Sequence, residues 1–232
     1  MRYLIIGLGI YGTNLAQDLT DMGHEVIGAD ISSTKVEAIK EYISTAYILD
    51  STDEASLNAL PLNNVDLTIV AIGENFGASI KTVALLKHAG VKNIYARAID
   101  KLHEAILEGL QVTRIVTPEQ RAARDLTFEM ELGTHVKSLR VDDEYFVADF
   151  IAPEYFSGLK YSELKPERMY GLKLICAARK GNKTNILGIR NEIFAVIDTD
   201  KAEAEVAPGD KITCYGTKKM FKSLFRLLTP LS

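Results

Sequence analysis

Cysteine is scarce in this chain. Among 232 residues there are only two, Cys176 and Cys214. That is too few for a disulfide scaffold, so both are expected as reduced thiols in a cytosolic protein. Long apolar runs are missing as well. No stretch approaches the ~18 residues that span a bilayer. The apolar start MRYLIIGLGIYG carries glycines and lacks the small-residue cleavage site of a signal peptide. There is no surplus of positive charge, since 27 Lys and Arg stand against 31 Asp and Glu. Binding of nucleic acid through bulk charge is therefore not expected. The short motifs of several chemistries are absent too: Cys-x-x-Cys, His-Glu-x-x-His, Gly-x-Ser-x-Gly and the Gly-Lys-Ser/Thr of a phosphate loop. The histidines, His24, His88, His103 and His135, stand alone. Metal and triad sites need clusters, so each reads as a surface or half-buried side chain.

What remains is an ordinary globular composition, 47% hydrophobic and 25% charged, long enough for a real core. Residues 1–133 alternate strand and helix. Short apolar runs at Tyr3–Ile6, Glu25–Ala29, Ala46–Leu49, Leu67–Ile72, Ile94–Arg97 and Thr113–Val116 suit parallel strands covered on both faces. Helix signals lie between them. Ser32 or Ser33 can cap one helix, Ser51 and Glu54 have capping-box spacing, Asn75–Ala89 ends at Gly90, and Asp100 can cap the segment through Leu110. Such alternation predicts a doubly wound, Rossmann-like parallel sheet. Pro118 then opens a helix over 119–132, with apolar Ala122, Ala123, Leu126 and Met130. It can pack on the sheet or cross to a partner subunit, and the residues alone favour plain packing.

From His135 the rhythm changes. Strands are expected at Val136–Leu139, Tyr145–Ile151, Leu172–Ala178, Glu192–Ile197 and Lys211–Tyr215. Turns are expected at Asp142–Glu144, Gly181–Lys183 and Pro208–Asp210, and helices at Tyr161–Met169 and Lys218–Leu228. Residues 134–232 thus form a small α+β module.

The chemistry concentrates in Gly7-Leu8-Gly9-Ile10-Tyr11-Gly12, a Gly-x-Gly-x-x-Gly that follows an apolar strand and opens a helix. Asp30 ends the second strand, 18 residues after Gly12. This is the full context of the dinucleotide fingerprint. Gly7 permits the tight turn, Gly9 lets backbone approach a pyrophosphate, and Gly12 lets helix and strand pack closely. The helix start offers N–H groups and a partial positive charge to phosphate. Asp30 can accept the ribose hydroxyls and would repel a 2′-phosphate, which favours NAD(H) or ATP, ADP and AMP over NADP. Ligands bind outside the carboxyl ends of such strands. The further candidates there are Asp50, Ser51 and Thr52, then Ile72, Gly73, Glu74 and Asn75, and finally Arg97. An arginine closing an apolar strand needs an anion, either a phosphate or a local carboxylate such as Asp100. Glu119, after Pro118, could reach a metal or a neighbouring subunit, or simply favour the helix dipole as a first-turn acid.

Together these residues resemble the KTN/RCK cytosolic regulators of Trk- and Ktr-type potassium uptake systems. The N-terminal part matches in GLGIYG, VIGAD, Asp50-Ser51-Thr52-Asp53, VAIGEN, Arg97 and Pro118-Glu119. The remainder matches in Tyr170-Gly171, Pro208-Gly209-Asp210 and Gly216. The resemblance implies a nucleotide-binding RCK N-domain with a crossover helix, followed by an RCK C-domain. It implies a homo-oligomer, dimers assembling into a ring, at the inner face of the cell membrane. There it would gate a membrane potassium transporter or channel subunit in response to NAD(H), ATP or ADP. It also implies a divalent cation at Glu119 in some members. The chain departs from the family pattern at Ile10, where many relatives carry an arginine that reaches the distal phosphates, so poor separation of ATP from ADP is expected. It departs again at Lys165-Pro166-Glu167-Arg168, and Lys180–Arg190 lacks the expected His and Pro. Both of these departures argue against cyclic-dinucleotide binding.

Two other functions are compatible with the fold. One is a free-standing adenine-nucleotide sensor. The other is an NAD-dependent oxidoreductase, for which Tyr161 and Lys165 have the Tyr-x-x-x-Lys spacing of short-chain dehydrogenases. That pair lies outside the Rossmann part, and the last 99 residues offer no other positioned acid or base except His135. The expectation is that the protein is not an enzyme.

Overall fold

Side chains alternate across a strand, so a strand covered on both faces must be apolar at every position. The N-terminal strand shows this directly. Leu4 and Ile6 enter one core and Ile5 enters another, and each is almost fully buried. The computed structural model describes residues 1–132, 136–184, 190–199 and 204–225. Its strands β1 (Arg2–Ile6), β2 (Glu25–Asp30), β3 (Thr45–Ile48), β4 (Leu67–Val70), β5 (Ile94–Arg97) and β6 (Arg114–Val116) form one parallel sheet in the order β3-β2-β1-β4-β5-β6. Ala16 of helix α1 (Ile10–Asp21) and Val36 and Ile39 of α2 (Ser33–Ile39) cover one face. Leu57 of α3 (Glu54–Asn58), Val83 and Leu86 of α4 (Phe76–His88), and Leu107 of α5 (Lys101–Gly109) cover the other.

Local chemistry sets most helix starts. Ser32 accepts from the Lys35 N–H, Asn75 from the Ala78 N–H and Asp100 from the His103 N–H, as capping predicts. The box read at Ser51 and Glu54 is not formed. Asp53 caps α3 instead, accepting from the Ser56 N–H at 2.9 Å. The buried Ser51 hydroxyl lies 2.8 Å from that of Thr82.

The chain divides into two compact units, Met1–Gln120 and Arg121–Ser232. Helix α6 (Pro118–Leu132) begins in the first. Its Phe128 and Leu132 belong to the core of the second, where Phe128 stacks on Phe146 with ring centroids 4.3 Å apart. The other apolar residues of this helix do not pack in the single chain: Ala122 and Ala123 are exposed, Leu126 is 56% exposed and Met130 73%.

The second unit is an antiparallel sheet in the order β10-β9-β11-β8-β7. Its strands are β7 (Lys137–Arg140), β8 (Tyr145–Ile151), β9 (Lys173–Thr184), β10 (Arg190–Ile197) and β11 (Lys211–Thr217). Gly181–Lys183 is not the expected turn. These residues continue β9 and pair with Ile193, Glu192 and Asn191 of β10. The expected helix from Tyr161 shortens to α7 (Pro166–Tyr170), and α8 spans Lys218–Phe225. Buried Asp210 organises one end of this unit. It accepts from both Nε and Nη2 of Arg179, from the Tyr161 hydroxyl and from the Ala207 N–H.

Candidate functional site

After β1 the chain turns to one side of the sheet, and β4 lies on the other side of β1. The crevice outside their carboxyl ends is where such a sheet binds ligands. Gly7 has φ +99° there, and an added Cβ would lie 2.9 Å from the Ile72 nitrogen. At Gly12 a Cβ would lie 1.9 Å from the Gly7 carbonyl oxygen, so the loop cannot close over any larger residue. Around Gly9 nothing lies within 4 Å of that position, which leaves backbone open to a ligand. No side chain caps α1, and its first turn holds no acid. Helices α2, α3, α4 and α5 all have side-chain caps. The N–H groups at the start of α1 are therefore left for another acceptor, such as a phosphate.

Asp30 stands beside this loop, only 8% exposed. Its Oδ2 accepts from the Leu8 N–H at 2.7 Å and its Oδ1 from the Ser32 N–H at 2.8 Å. Each carboxylate oxygen can accept twice. The two bonds therefore orient the group and leave acceptor capacity for hydroxyls. Ile10 is 87% exposed at the start of α1, and its side chain offers no donor.

The remaining candidates divide. Asp50 is exposed and holds its own turn, accepting from the Thr52 N–H and hydroxyl at 2.8 Å. Ser51 is buried against Thr82, and Asn75 is committed to capping α4. Ile72 packs against Gly7. Glu74 is exposed and pairs with Lys35 of α2 at 3.6 Å.

Arg97 pairs with a carboxylate, but not with the one named for it. Its Nη2 pairs with Glu119 in the first turn of α6, not with Asp100, which caps α5. The guanidinium carbon lies 5.7 Å from the ring centroid of Tyr11, in the first turn of α1. Gly73 makes room for it, since a Cβ there would stand 2.4 Å from Nη1. Sequence reasoning singled out Arg97, Glu119, Tyr11 and Gly73 separately and missed that they form one cluster. The only hint was a cation ending an apolar strand.

A divalent cation does not fit Glu119 in one chain. Among the described residues no group of three or more His, Cys, Asp or Glu could hold a metal ion, and Glu119 is engaged by Arg97. His103 is also not at the surface. It is fully buried against Phe76, with ring centroids 4.9 Å apart, and burial lowers its pKa. His135 lies outside the described residues. Tyr161 does not act with Lys165, because its buried hydroxyl donates to Asp210 at 2.8 Å and burial raises its pKa.

Residues 3–118 match the TrkA-N domain family. The chain belongs to the TrkA-N family. Its relatives include Ktr system potassium uptake protein C of Bacillus subtilis, 32% identical over 193 residues, 83% of this chain and 87% of that protein. That likeness places this TrkA-N protein among the Ktr-type potassium uptake proteins. Among solved structures, the GsuK channel bound to NAD superposes with a TM-score of 0.60 at 14% identity, over all of this chain and 40% of that one. The C-terminal domain of a Shewanella denitrificans Kef protein in its AMP-bound form gives 0.50 at 24% identity, over 58% of this chain and 84% of that one. Both likenesses establish the fold. Among the described residues no helix is long and apolar enough to cross a membrane.

Proposed function

We propose that this TrkA-N protein is a nucleotide-binding regulatory subunit that gates a membrane potassium transporter or channel in response to NAD(H), ATP, ADP or AMP. The observation that carries the nucleotide part is the uncapped start of α1 beside an open Gly9 and an oriented Asp30. The α1 N–H groups would hold phosphate, Asp30 would take the ribose hydroxyls, and Arg97 supplies positive charge at the same loop. The Ile10 side chain adds no donor for a terminal phosphate. ADP, AMP and NAD(H) should accordingly bind at least as well as ATP.

The transport part rests on the relatives. Proteins named as parts of a Ktr potassium uptake system align along most of this chain, and a channel with this fold was solved with NAD. A regulator needs a ligand site and a second arrangement to shift into. Placement at the inner face of the cell membrane follows from such a partner.

The exposed face of α6, with Ala122, Leu126 and Met130 at helical spacing, suits a second copy of the chain. A ring of dimers is the assembly we propose, and a cation at Glu119 would need ligands from that second copy. The test is a thermal-shift titration with NADH, NAD, ATP, ADP and AMP. A ligand at 100 times its Kd should add about 2.7 kcal/mol. Stabilisation by none of them would remove the nucleotide reading.

A further inference from the structure

The Arg97 cluster has a property that neither a plain phosphate site nor a plain salt bridge explains. Its cation is nearly covered, with the Arg97 side chain 18% exposed and Nε buried without a partner. Its anion is not covered, with the Glu119 side chain 57% exposed. A desolvated guanidinium needs an anion, whereas an exposed carboxylate is well served by water. The guanidinium also lies over Tyr11, in the first turn of the helix whose start is uncapped, and fills the space left by Gly73. A phosphate at that helix start would approach the same cation.

We propose that Glu119 is an internal competitor for the phosphate subsite. Glu119 and the ligand's phosphate are alternative partners for the one Arg97 guanidinium, and each displaces the other. This rests on the nucleotide reading above and adds its regulation. Direction follows from the two anions. The phosphate carries more charge and is also bound by the α1 N–H groups, and the released carboxylate returns to water. Exchange therefore runs toward phosphate, less the cost of breaking the pair. The consequence is local to α6. Its first turn is tied to β5 while Glu119 holds Arg97 and untied once phosphate takes the guanidinium, and the same helix continues to Phe128 and Leu132 in the second core. Ligand occupancy and the state of the α6 start are thereby coupled, and the coupling is reciprocal.

The experiment is calorimetry on the full chain in EDTA, with ADP and NADH as probes and adenosine as the phosphate-free control. Glu119→Gln should tighten ADP and NADH about three- to tenfold, the scale of a partly covered ion pair. It should leave adenosine unchanged. Arg97→Met should weaken ADP and abolish the gain from Glu119→Gln in the double variant. Should Arg97→Met fail to fold, Gly73→Ala, whose methyl displaces the guanidinium, takes its place in the cycle. If the wild type binds ADP or NADH while Glu119→Gln leaves that affinity unchanged or weakens it, the competitor role is overturned and the nucleotide site stands. A wild type with no affinity for ADP or NADH would overturn the nucleotide reading itself.

Discussion

Asp30 joins one observed role and one proposed role on a single carboxylate. Its bonds to the Leu8 and Ser32 N–H groups pin the glycine loop to the end of β2, and the same oxygens would meet the ribose. Asp30→Ala should therefore fail in two ways. Calorimetry should show adenosine, ADP and NADH all weakened by roughly ten- to a hundredfold, the worth of a charge-assisted hydrogen bond. Urea unfolding should show a loss of about 1–3 kcal/mol, because the buried Leu8 N–H is left without an acceptor. Unchanged affinity for all three ligands would place the ribose elsewhere. The glycines and Asp30 were legible in the sequence because each answers to a rule of local backbone or chain spacing. The pairing of Arg97 with Glu119 was not, because it joins the end of β5 to the start of α6 across 22 residues, and no short pattern encodes such a contact.

Among the helices, capping by Ser32, Asn75 and Asp100 was legible for the same local reason, and the failure at Ser51 is instructive. Ser51 and Asp53 compete to start α3. The charged residue accepts from the Ser56 N–H, while Ser51 finds Thr82 on α4. Gly181–Lys183 was misread more deeply. Turn-favouring residues were held in β9 by cross-strand pairing with β10, an example of tertiary context overriding propensity. Helix α5 gives a pH prediction. His103 is buried against Phe76, its Nδ1 accepts from the Ile99 N–H, and its Nε2 has no partner. Burial lowers its pKa from 6.5, and nearby Asp100 opposes this only in part. With a depressed folded pKa, the unfolded state binds the proton more readily. This contribution to stability is complete above about pH 6.5 and declines as the pH falls below it. Urea midpoints from pH 8 to pH 5.5 should fall more steeply for wild type than for His103→Gln. Parallel slopes would show that His103 does not titrate on unfolding.

For the molecule as a whole, the change of architecture near residue 134 was legible from the end of strand–helix alternation. The compact units are Met1–Gln120 and Arg121–Ser232, and Phe128 and Leu132 of α6 belong to the second core. That arrangement leaves Leu126 and Met130 exposed. Leu126→Asp should lower the oligomeric state seen by light scattering at micromolar concentration, with little change in the melting of either unit. A wild type that is already monomeric would end that proposal and weaken the regulator reading with it. The unfinished start of α1 has a last consequence. Gly9 has an ordinary negative φ of −72° and free space around its missing Cβ, so a serine fits there and can cap the helix. Relative to glycine, such a cap adds a few tenths of a kcal/mol. Its hydroxyl would also occupy the N–H groups proposed to hold phosphate. Gly9→Ser should thus melt slightly higher than wild type while losing most of its affinity for ADP. Selection for thermal robustness would favour that change, whereas selection for ligand response would reject it.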